Sequence, residues 1–160
     1  MVELLDRAFT AEEARDVASW AYEPPFDLYD LAPDDAVRLL TRHDAAGHGY
    51  YPAQDGLAVV GFACFGPEAR VRGQDAEAGT CDIGAGIAPD RLGQGLATAL
   101  LPAVVRFAVD RFGTRRLRAA VAAFNTRSLR LCTSAGFRPV REFEGPERRP
   151  FRELVLEVDR

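Results

Sequence analysis

A pair of closely spaced glycines near the middle of the chain has the features of an anion-binding turn. Gly93 and Gly95 lie in the stretch "RLGQGLATALL", where an apolar run with helical spacing follows them. The first N–H groups of a helix have no partner within the helix, and the aligned peptide dipoles make that end positive. Glycines in such a turn let a phosphate approach the main chain closely. The stretch predicts a phosphate-binding loop or, as the alternative, a tight strand-to-helix turn without a ligand.

Two common phosphate-binding motifs do not fit this turn. A P-loop needs a lysine that reaches the phosphates, and the sequence contains no lysine. The dinucleotide fingerprint requires a third glycine where this chain has Thr98, and Pro89 and Asp90 separate the turn from the preceding strand. A dinucleotide-binding oxidoreductase is therefore a remote alternative. The remaining interpretation is a loop whose N–H groups, from Gly93 to Thr98, face a pyrophosphate.

The composition is that of a soluble globular protein. With 160 residues, of which 48% are hydrophobic and 28% charged, the chain is expected to form a single domain over residues 1–160. A net charge of −4 argues against nucleic-acid binding by phosphate neutralisation. No membrane span or signal peptide is expected, because no apolar run is long enough. Three cysteines without a CxxC pair and two histidines predict no metal site and a reducing, cytoplasmic setting.

The hydrophobic patterns around the turn predict elements in the order βααβββαβαββ, which is an α/β or α+β domain with a mixed central sheet. Thr10 and Glu13 have the spacing of a capping box at the first helix. Asn125 is placed to cap the last helix, which Gly136 would end in a left-handed conformation. The strand "TCDIGAGIAP" contains two glycines, which predict a bulge or the close approach of another backbone or a ligand.

The stretch "DIGAGIAPDRLGQGLATALL", the strand that follows it and the helix "NTRSLRLCTSAGF" together resemble the GNAT superfamily of acyl-CoA-dependent N-acetyltransferases. With the strands around them, they cover the chain from about residue 57 to about residue 145. The family motif Arg/Gln-x-x-Gly-x-Gly/Ala falls on Leu92, Gly95 and Ala97, so the motif's arginine is missing and Arg91 lies one residue early. The resemblance implies a mixed, mostly antiparallel sheet of about seven strands with about four helices.

The resemblance also implies that main-chain groups bind acetyl-CoA. Pyrophosphate would be bound by the N–H groups of Gly93, Gln94, Gly95, Leu96, Ala97 and Thr98. The pantetheine arm would lie like an added strand against Ala85, Gly86 and Ile87, which agrees with the glycine-rich strand as a place of close approach. Asn125 corresponds to the family asparagine near the pantetheine, and a helix cap alone would explain it equally well.

Two groups are candidates for proton transfer. The amine must lose a proton before it attacks, since an alkylammonium with a pKa of about 10.4 has no lone pair. Asp82 is the leading candidate for this base, with Asp75 and Glu77 second, and a structural carboxylate at a strand end is the alternative. In the family a tyrosine seven residues after the asparagine protonates the leaving thiolate, and Cys132 stands there. Its thiol is able to donate a proton, and burial in the core is the competing interpretation.

The loop "AYEPPFDLYDL" has the side chains best suited to choose the acceptor. An aromatic, acidic pocket for a cationic amine would be formed by Tyr22, Glu23, Phe26, Asp27 and Tyr29. For Phe26 the alternative is a hydrophobic plug over the sheet edge.

We therefore expect an enzyme that transfers the acetyl group of acetyl-CoA to a primary amine of a small molecule or peptide by direct attack in a ternary complex. A non-catalytic acyl-CoA-binding or regulatory module is the alternative, because the tyrosine is missing and no glutamate stands on the strand "RAAVAA", where some family members carry a base. No metal, nucleic acid or membrane is expected to take part. A homodimer paired through the last strands is a further expectation.

Overall fold

The computed structural model describes residues 1–159, except for the side chain of Pro33, and consists of one seven-stranded sheet with four α-helices. The strands are β1 (Val2–Leu4), β2 (Gly49–Asp55), β3 (Ala58–Phe65), β4 (Cys81–Ile87), β5 (Arg116–Ala122), β6 (Arg138–Glu144) and β7 (Pro150–Glu157). The helices are α1 (Ala11–Ala18), α2 (Pro33–Leu40), α3 (Leu96–Phe112) and α4 (Thr126–Ser134). Apart from short 3₁₀ turns, this is the predicted order, and the prediction of a mixed sheet with four helices is confirmed.

The strands lie in the order β1-β2-β3-β4-β5-β7-β6, so the last strand of the chain inserts between β5 and β6. Neighbouring strands are antiparallel except for β4 and β5, which are parallel. This parallel pairing covers only Cys81–Ile83 with Leu117–Ala119, whereas β4 continues to pair with β3 as far as Ile87. Beyond Ile83 the two central strands therefore separate, and we call the space between them the split.

The two faces of the sheet carry different helices. On one face α3 and α4 pack on the main core, in which Leu100, Val104 and Cys132 contact the central strands. On the other face α1 and α2 cover β2 and β3, and a smaller apolar cluster around Ala122 and Phe151 lies beside the split. No helix within residues 1–159 has the length and hydropathy that a membrane span requires.

Local sequence signals begin and end these helices as predicted. The Thr10 side chain accepts a hydrogen bond from the Glu13 N–H, and the Glu13 carboxylate accepts one from the Thr10 N–H, which completes the capping box of α1. The Asn125 carboxamide accepts a hydrogen bond from the Ser128 N–H at the start of α4. Gly136 follows α4 with a φ of +100°, a conformation that glycine adopts without the usual Cβ penalty.

The glycines of β4 are explained by close packing and not by a bulge. The register between β3 and β4 is continuous, so the predicted bulge is absent from this strand. A Cβ on Gly86 would lie 2.8 Å from the Phe62 ring, and one on Gly84 would lie 2.9 Å from the Cys64 Sγ. The close approach therefore comes from side chains of β3, which pack across the face of β4.

Candidate functional site

The middle strand of the sheet has an unpaired edge along the split. The Ala88 N–H donates to the Val60 carbonyl at 2.8 Å, which fixes the alternation of hydrogen bonds along the antiparallel β3–β4 pair. By that alternation Gly86 bonds to β3, whereas Ala85 and Ile87 direct their N–H and C=O groups into the split. Ala85 is exposed to solvent even though β4 is the central strand.

This register corrects one residue of the pantetheine contact set. Ala85 and Ile87 present main-chain groups to the split, as the resemblance implies. Gly86 does not, because successive residues of a strand point their main-chain groups to opposite sides and its own pair with Phe62.

The facing edge of β5 is also unpaired. The Ala123 N–H donates to the Pro150 carbonyl at 2.9 Å, and the same alternation then directs the main-chain groups of Ala120 and Ala122 away from β7 and into the split. Two strand edges thus face each other without a strand between them. An extended arm with amide groups could bond to both.

The segment 22–30, which we call the tyrosine loop, reaches the β4 side of the split. The Tyr22 hydroxyl donates to the Ile87 carbonyl at 2.6 Å, and the Tyr22 N–H donates to the Asp30 carboxylate at 3.1 Å. Burial raises the pKa of Tyr22 to about 12, so its hydroxyl keeps its proton at neutral pH. Tyr22 is therefore held against β4 at the edge of the split.

A second tyrosine of the same loop lies at the β5 edge. The Tyr29 Oη accepts hydrogen bonds from the Ala122 N–H and from the Asn125 Nδ2, both at 3.3 Å. Asn125 is buried. Its carboxamide oxygen caps α4, and its carboxamide nitrogen donates to Tyr29 and so orients that side chain. The fold thereby joins two predicted residues, Tyr29 and Asn125, that lie far apart in sequence.

The other residues predicted to contact the amine substrate lie on the exposed surface of the tyrosine loop. Phe26 is 38% exposed and packs edge-on against Phe124, with ring centroids 5.4 Å apart. The Arg149 guanidinium lies over the Phe124 ring at 5.2 Å. Glu23 and Asp27 are exposed to solvent on the loop. The neighbourhood of the split thus offers an aromatic surface with charged groups around it.

The glycine turn leads from β4 to an uncapped helix N-terminus. Gly93 and Gly95 have φ angles of +79° and +76°, and beyond the chain neighbours a Cβ on either would meet no heavy atom within 4 Å. No side chain caps α3, and its first turn contains no acidic residue, whereas α1 and α2 both have acids there. The exposed Gln94 lies between the glycines. The N–H groups of Leu96 and the next residues therefore form an open, positive end suited to an anion.

Asp82 belongs to a buried ion network at the closed end of the split. Its Oδ1 accepts from the Arg118 Nε at 2.6 Å, and its Oδ2 accepts from the Arg70 Nη1 at 3.1 Å and the Arg118 Nη2 at 3.2 Å. Arg118 also donates to Glu153 at 3.2 Å, and the Asp82 hydrogen bond raises the pKa of Arg118. Asp82, Arg118 and Glu153 are each at most 5% exposed. With both oxygens bound by guanidinium groups, Asp82 is better placed to hold the strands than to accept a proton from an amine.

The network also anchors the segment 66–80 over this face of the sheet. The Arg118 Nη2 donates to the Asp75 carbonyl at 2.6 Å, and Arg141, which also pairs with Glu153, donates to the Gly73 carbonyl at 3.2 Å. Asp75 thus takes part through its main chain. Glu77, the other secondary candidate for the base, is exposed and accepts a hydrogen bond from the Arg116 Nε at 3.1 Å.

Two residues of the network, Arg118 and Glu153, are not among the site residues predicted from the sequence. A signal was present for Arg118, which stands between the apolar residues Leu117 and Ala119 in its strand, whereas Glu153 follows the charged Arg152. Such a residue must find a partner when it is buried. Only the strand order shows that β4, β5 and β7 bring Asp82, Arg118 and Glu153 side by side.

Cys132 lies in the main core under α4. It is 7% exposed, and burial raises the pKa of its thiol to about 11. Leu129 packs against the same core cluster. This position favours the packing interpretation over a role as proton donor.

We expect Cys132→Ala to lose roughly 1 kcal/mol of unfolding free energy, a common size for a buried truncation, and to keep its turnover number within about threefold. The native thiol should also react slowly with iodoacetamide at pH 8, because it is buried and protonated. Chemical denaturation, steady-state kinetics and mass spectrometry measure the three quantities. Cys64→Ala, which is buried in the cluster under α1 and α2, is the control. A tenfold loss of turnover confined to Cys132→Ala would return this thiol to the mechanism.

No group of three or more His, Cys, Asp or Glu side chains within residues 1–159 is arranged to hold a metal ion.

The chain matches a known protein family over most of its length. The family model of the acetyltransferase (GNAT) domain matches residues 3–138. A search of curated protein sequences gives no significant match.

Three solved structures illustrate the similarity in fold. A protein assigned as a phosphinothricin N-acetyltransferase is 22% identical over 100% of both chains, with a TM-score of 0.76. YncA from Salmonella typhimurium, solved with acetyl-CoA, is 18% identical over 99% of this chain and 94% of its own, with a TM-score of 0.71. AAC(6')-Ib, solved with ribostamycin and coenzyme A, is 18% identical over 98% of this chain and 93% of its own, with a TM-score of 0.76.

Proposed function

Since the chain belongs to the GNAT family of acetyltransferases, we propose that it transfers the acetyl group of acetyl-CoA to a primary amine by direct attack in a ternary complex. The observation that carries the proposal is the split between β4 and β5, which opens beside the uncapped N-terminus of α3. An unpaired strand edge and a positive helix end, so close in sequence, match the amide and pyrophosphate portions of one ligand.

The described residues fit acetyl-CoA through main-chain atoms. Ala85 through its N–H and C=O, and Ile87 through its N–H, would bond the pantetheine amides, since the Ile87 carbonyl accepts from Tyr22. The N–H groups from Gly93 to Thr98 would bind the pyrophosphate. The cosubstrate supplies an activated thioester when bound. Because backbone N–H groups provide the contacts, Leu92 in place of the motif's arginine removes one charge but none of these donors.

The acceptor amine would enter from the face that carries the tyrosine loop. The opposite face is closed by α3 and α4, which pack on the main core. Glu23 and Asp27 are exposed where they attract a cation, and Phe26 with Phe124 offers an apolar surface. The names of two structural neighbours, a phosphinothricin N-acetyltransferase and an aminoglycoside acetyltransferase, support a small amine as the acceptor.

Ligand binding tests the first half of the proposal. Acetyl-CoA at about 100 times its Kd should add roughly 2.7 kcal/mol to the unfolding free energy. For a domain of this size that is a rise in Tm of about 5–11 °C. NAD at the same concentration should leave Tm unchanged. If acetyl-CoA gives no shift, or NAD gives the larger one, the proposal is wrong.

Thiol release with a panel of amines tests the second half. The panel should include aminoglycosides, polyamines, amino acids, phosphinothricin and a peptide N-terminus, with acetylated products identified by mass spectrometry. All three cysteines of the chain are buried, so a thiol reagent reports released coenzyme A with little background from the native protein. Binding of acetyl-CoA without transfer to any amine would favour a regulatory acyl-CoA-binding module.

A further inference from the structure

We propose that Tyr29 of the tyrosine loop donates the proton that the leaving thiolate requires, in the role that a tyrosine at the position of Cys132 would have. This inference rests on the proposed acetyl transfer. It follows from the hydrogen bonds of the Tyr29 hydroxyl and from its place on the β5 edge of the split.

The Tyr29 hydroxyl has a proton with no partner in the protein. A phenol oxygen can accept hydrogen bonds and has one proton to donate. Here it accepts from the Ala122 N–H and from the Asn125 Nδ2, both at 3.3 Å, and neither group can accept a proton in return. Within residues 1–159 no acceptor lies within hydrogen-bond distance of the Tyr29 proton. The two fixed donors therefore leave the O–H free to point at a ligand.

The hydroxyl of Tyr22, which also lies at the split, already has an acceptor for its proton. It donates its proton to the Ile87 carbonyl at 2.6 Å and so anchors the loop to β4. Cys132 lies in the core beneath α4, on the face of the sheet opposite the tyrosine loop. Of these three candidates, only Tyr29 combines a position at the split with a proton that is not already donated.

The place of Tyr29 suits a thioester held between the strands. An arm bonded to Ala85 and Ile87 on β4 lies between the two strand edges, and the Tyr29 Oη is fixed to Ala122 on the opposite edge. The Tyr29 ring packs in the apolar cluster of Ala122 and Phe151, which limits its motion. The hydroxyl thus meets the split from the face by which the amine would enter.

The proton balance of the step is complete. As the amine nitrogen bonds to the acetyl carbon and the C–S bond breaks, the Tyr29 O–H bond breaks and an S–H bond forms. The nitrogen loses one proton to water, and the Tyr29 phenolate takes one proton back from water. Amine and thioester become amide and thiol without any further reactant.

Tyr29→Phe removes the hydroxyl and keeps the ring. We expect kcat to fall about a hundredfold, within the usual range for loss of a positioned acid, while KM for acetyl-CoA changes little. A binding experiment without turnover adds an independent readout. Wild-type protein should bind coenzyme A about threefold more tightly than desulfo-coenzyme A, because the hydroxyl bonds to the sulfur, and Tyr29→Phe should bind the two equally.

Tyr50→Phe is the matched control, since it deletes a buried phenol on β2, away from the split. It should retain the wild-type kcat and the wild-type preference for coenzyme A. The inference stands only if Tyr29→Phe loses both kcat and that preference. If kcat stays within threefold, or if coenzyme A and desulfo-coenzyme A weaken equally, Tyr29 merely anchors the loop and the inference is wrong. Wild-type protein that binds coenzyme A but acetylates no amine would refute the proposed function, while the binding comparison would still decide whether Tyr29 contacts the sulfur.

Discussion

Gly95→Ala should bind coenzyme A at least tenfold more weakly than the wild type, a loss of about 1.4 kcal/mol. Gly95 has a φ of +76°, which costs an L-residue roughly 1–2 kcal/mol, so the turn would strain or move. Beyond the chain neighbours, the added Cβ meets no protein atom within 4 Å, so a loss of affinity would come from the changed turn or from contact with the ligand and not from a clash within the protein. Isothermal titration calorimetry measures the affinity, and denaturation measures the strain.

Gly113→Ala separates these two effects. Gly113 ends the same helix with a φ of +65°, and a Cβ there also meets nothing within 4 Å. Both variants should therefore lose a similar unfolding free energy, but only Gly95→Ala should lose affinity for coenzyme A. Equal affinities in the two variants would mean that the glycine turn is only a connection between β4 and α3.

Arg118→Met should destabilise the protein by about 3–5 kcal/mol, the usual cost of removing one partner from a buried ion pair. The substitution leaves Asp82 on β4 and Glu153 on β7 buried on either side of β5, without the guanidinium that bonds to both. It also removes the hydrogen bond to the Asp75 carbonyl, so the segment 66–80 should become more accessible to proteases. Urea denaturation and limited proteolysis measure the two changes.

Arg152→Met is the control on the neighbouring strand, where an exposed arginine pairs with exposed Glu142 at 3.4 Å. A surface pair of this kind contributes about 0–1 kcal/mol. If Arg118→Met does not fold, Arg118→Lys takes its place as the test, because lysine keeps the charge but lacks the planar guanidinium. It should still lose more unfolding free energy than Arg152→Met. A loss for Arg118→Lys no larger than that of Arg152→Met would show that the network does not stabilise the closed end of the split.

The ion network gives a physical reason for the shape of the split. Asp82 and Arg118 tie β4 to β5 where these strands are paired, and Glu153 ties β5 to β7. Beyond this point no charged pair or ladder holds β4 to β5. Because ion pairs and hydrogen bonds hold β4 and β5 together at one end, the two strands can separate at the other end while the sheet stays intact.

Several features could be predicted because they depend on residues that are close in sequence. The capping box of Thr10 and Glu13 and the Asn125 cap each involve residues three positions apart. Gly93 and Gly95 indicate a turn before a helix because of the conformations that glycine permits. The order of strands and helices followed from the period of apolar residues.

Other features depended on long-range pairing that no local pattern contains. Tyr29 bonds to Asn125 across 96 positions of the chain, and Tyr22 bonds to Ile87 across 65. From the sequence, Asp82 was a candidate base or a structural carboxylate, and the strand order favours the structural role because it places Arg118 beside it.

The amino-acid order was thus sufficient for the secondary structure and for the glycine turn before α3, since these arise from near neighbours, and the spacing of short motifs was sufficient for the family. The tertiary structure was needed to show which strand edges remain unpaired, which carboxylate is neutralised and which hydroxyl keeps a free proton. Each of these depends on the partner that folding brings from a distant part of the chain, because a polar group's chemistry is set by what it bonds to.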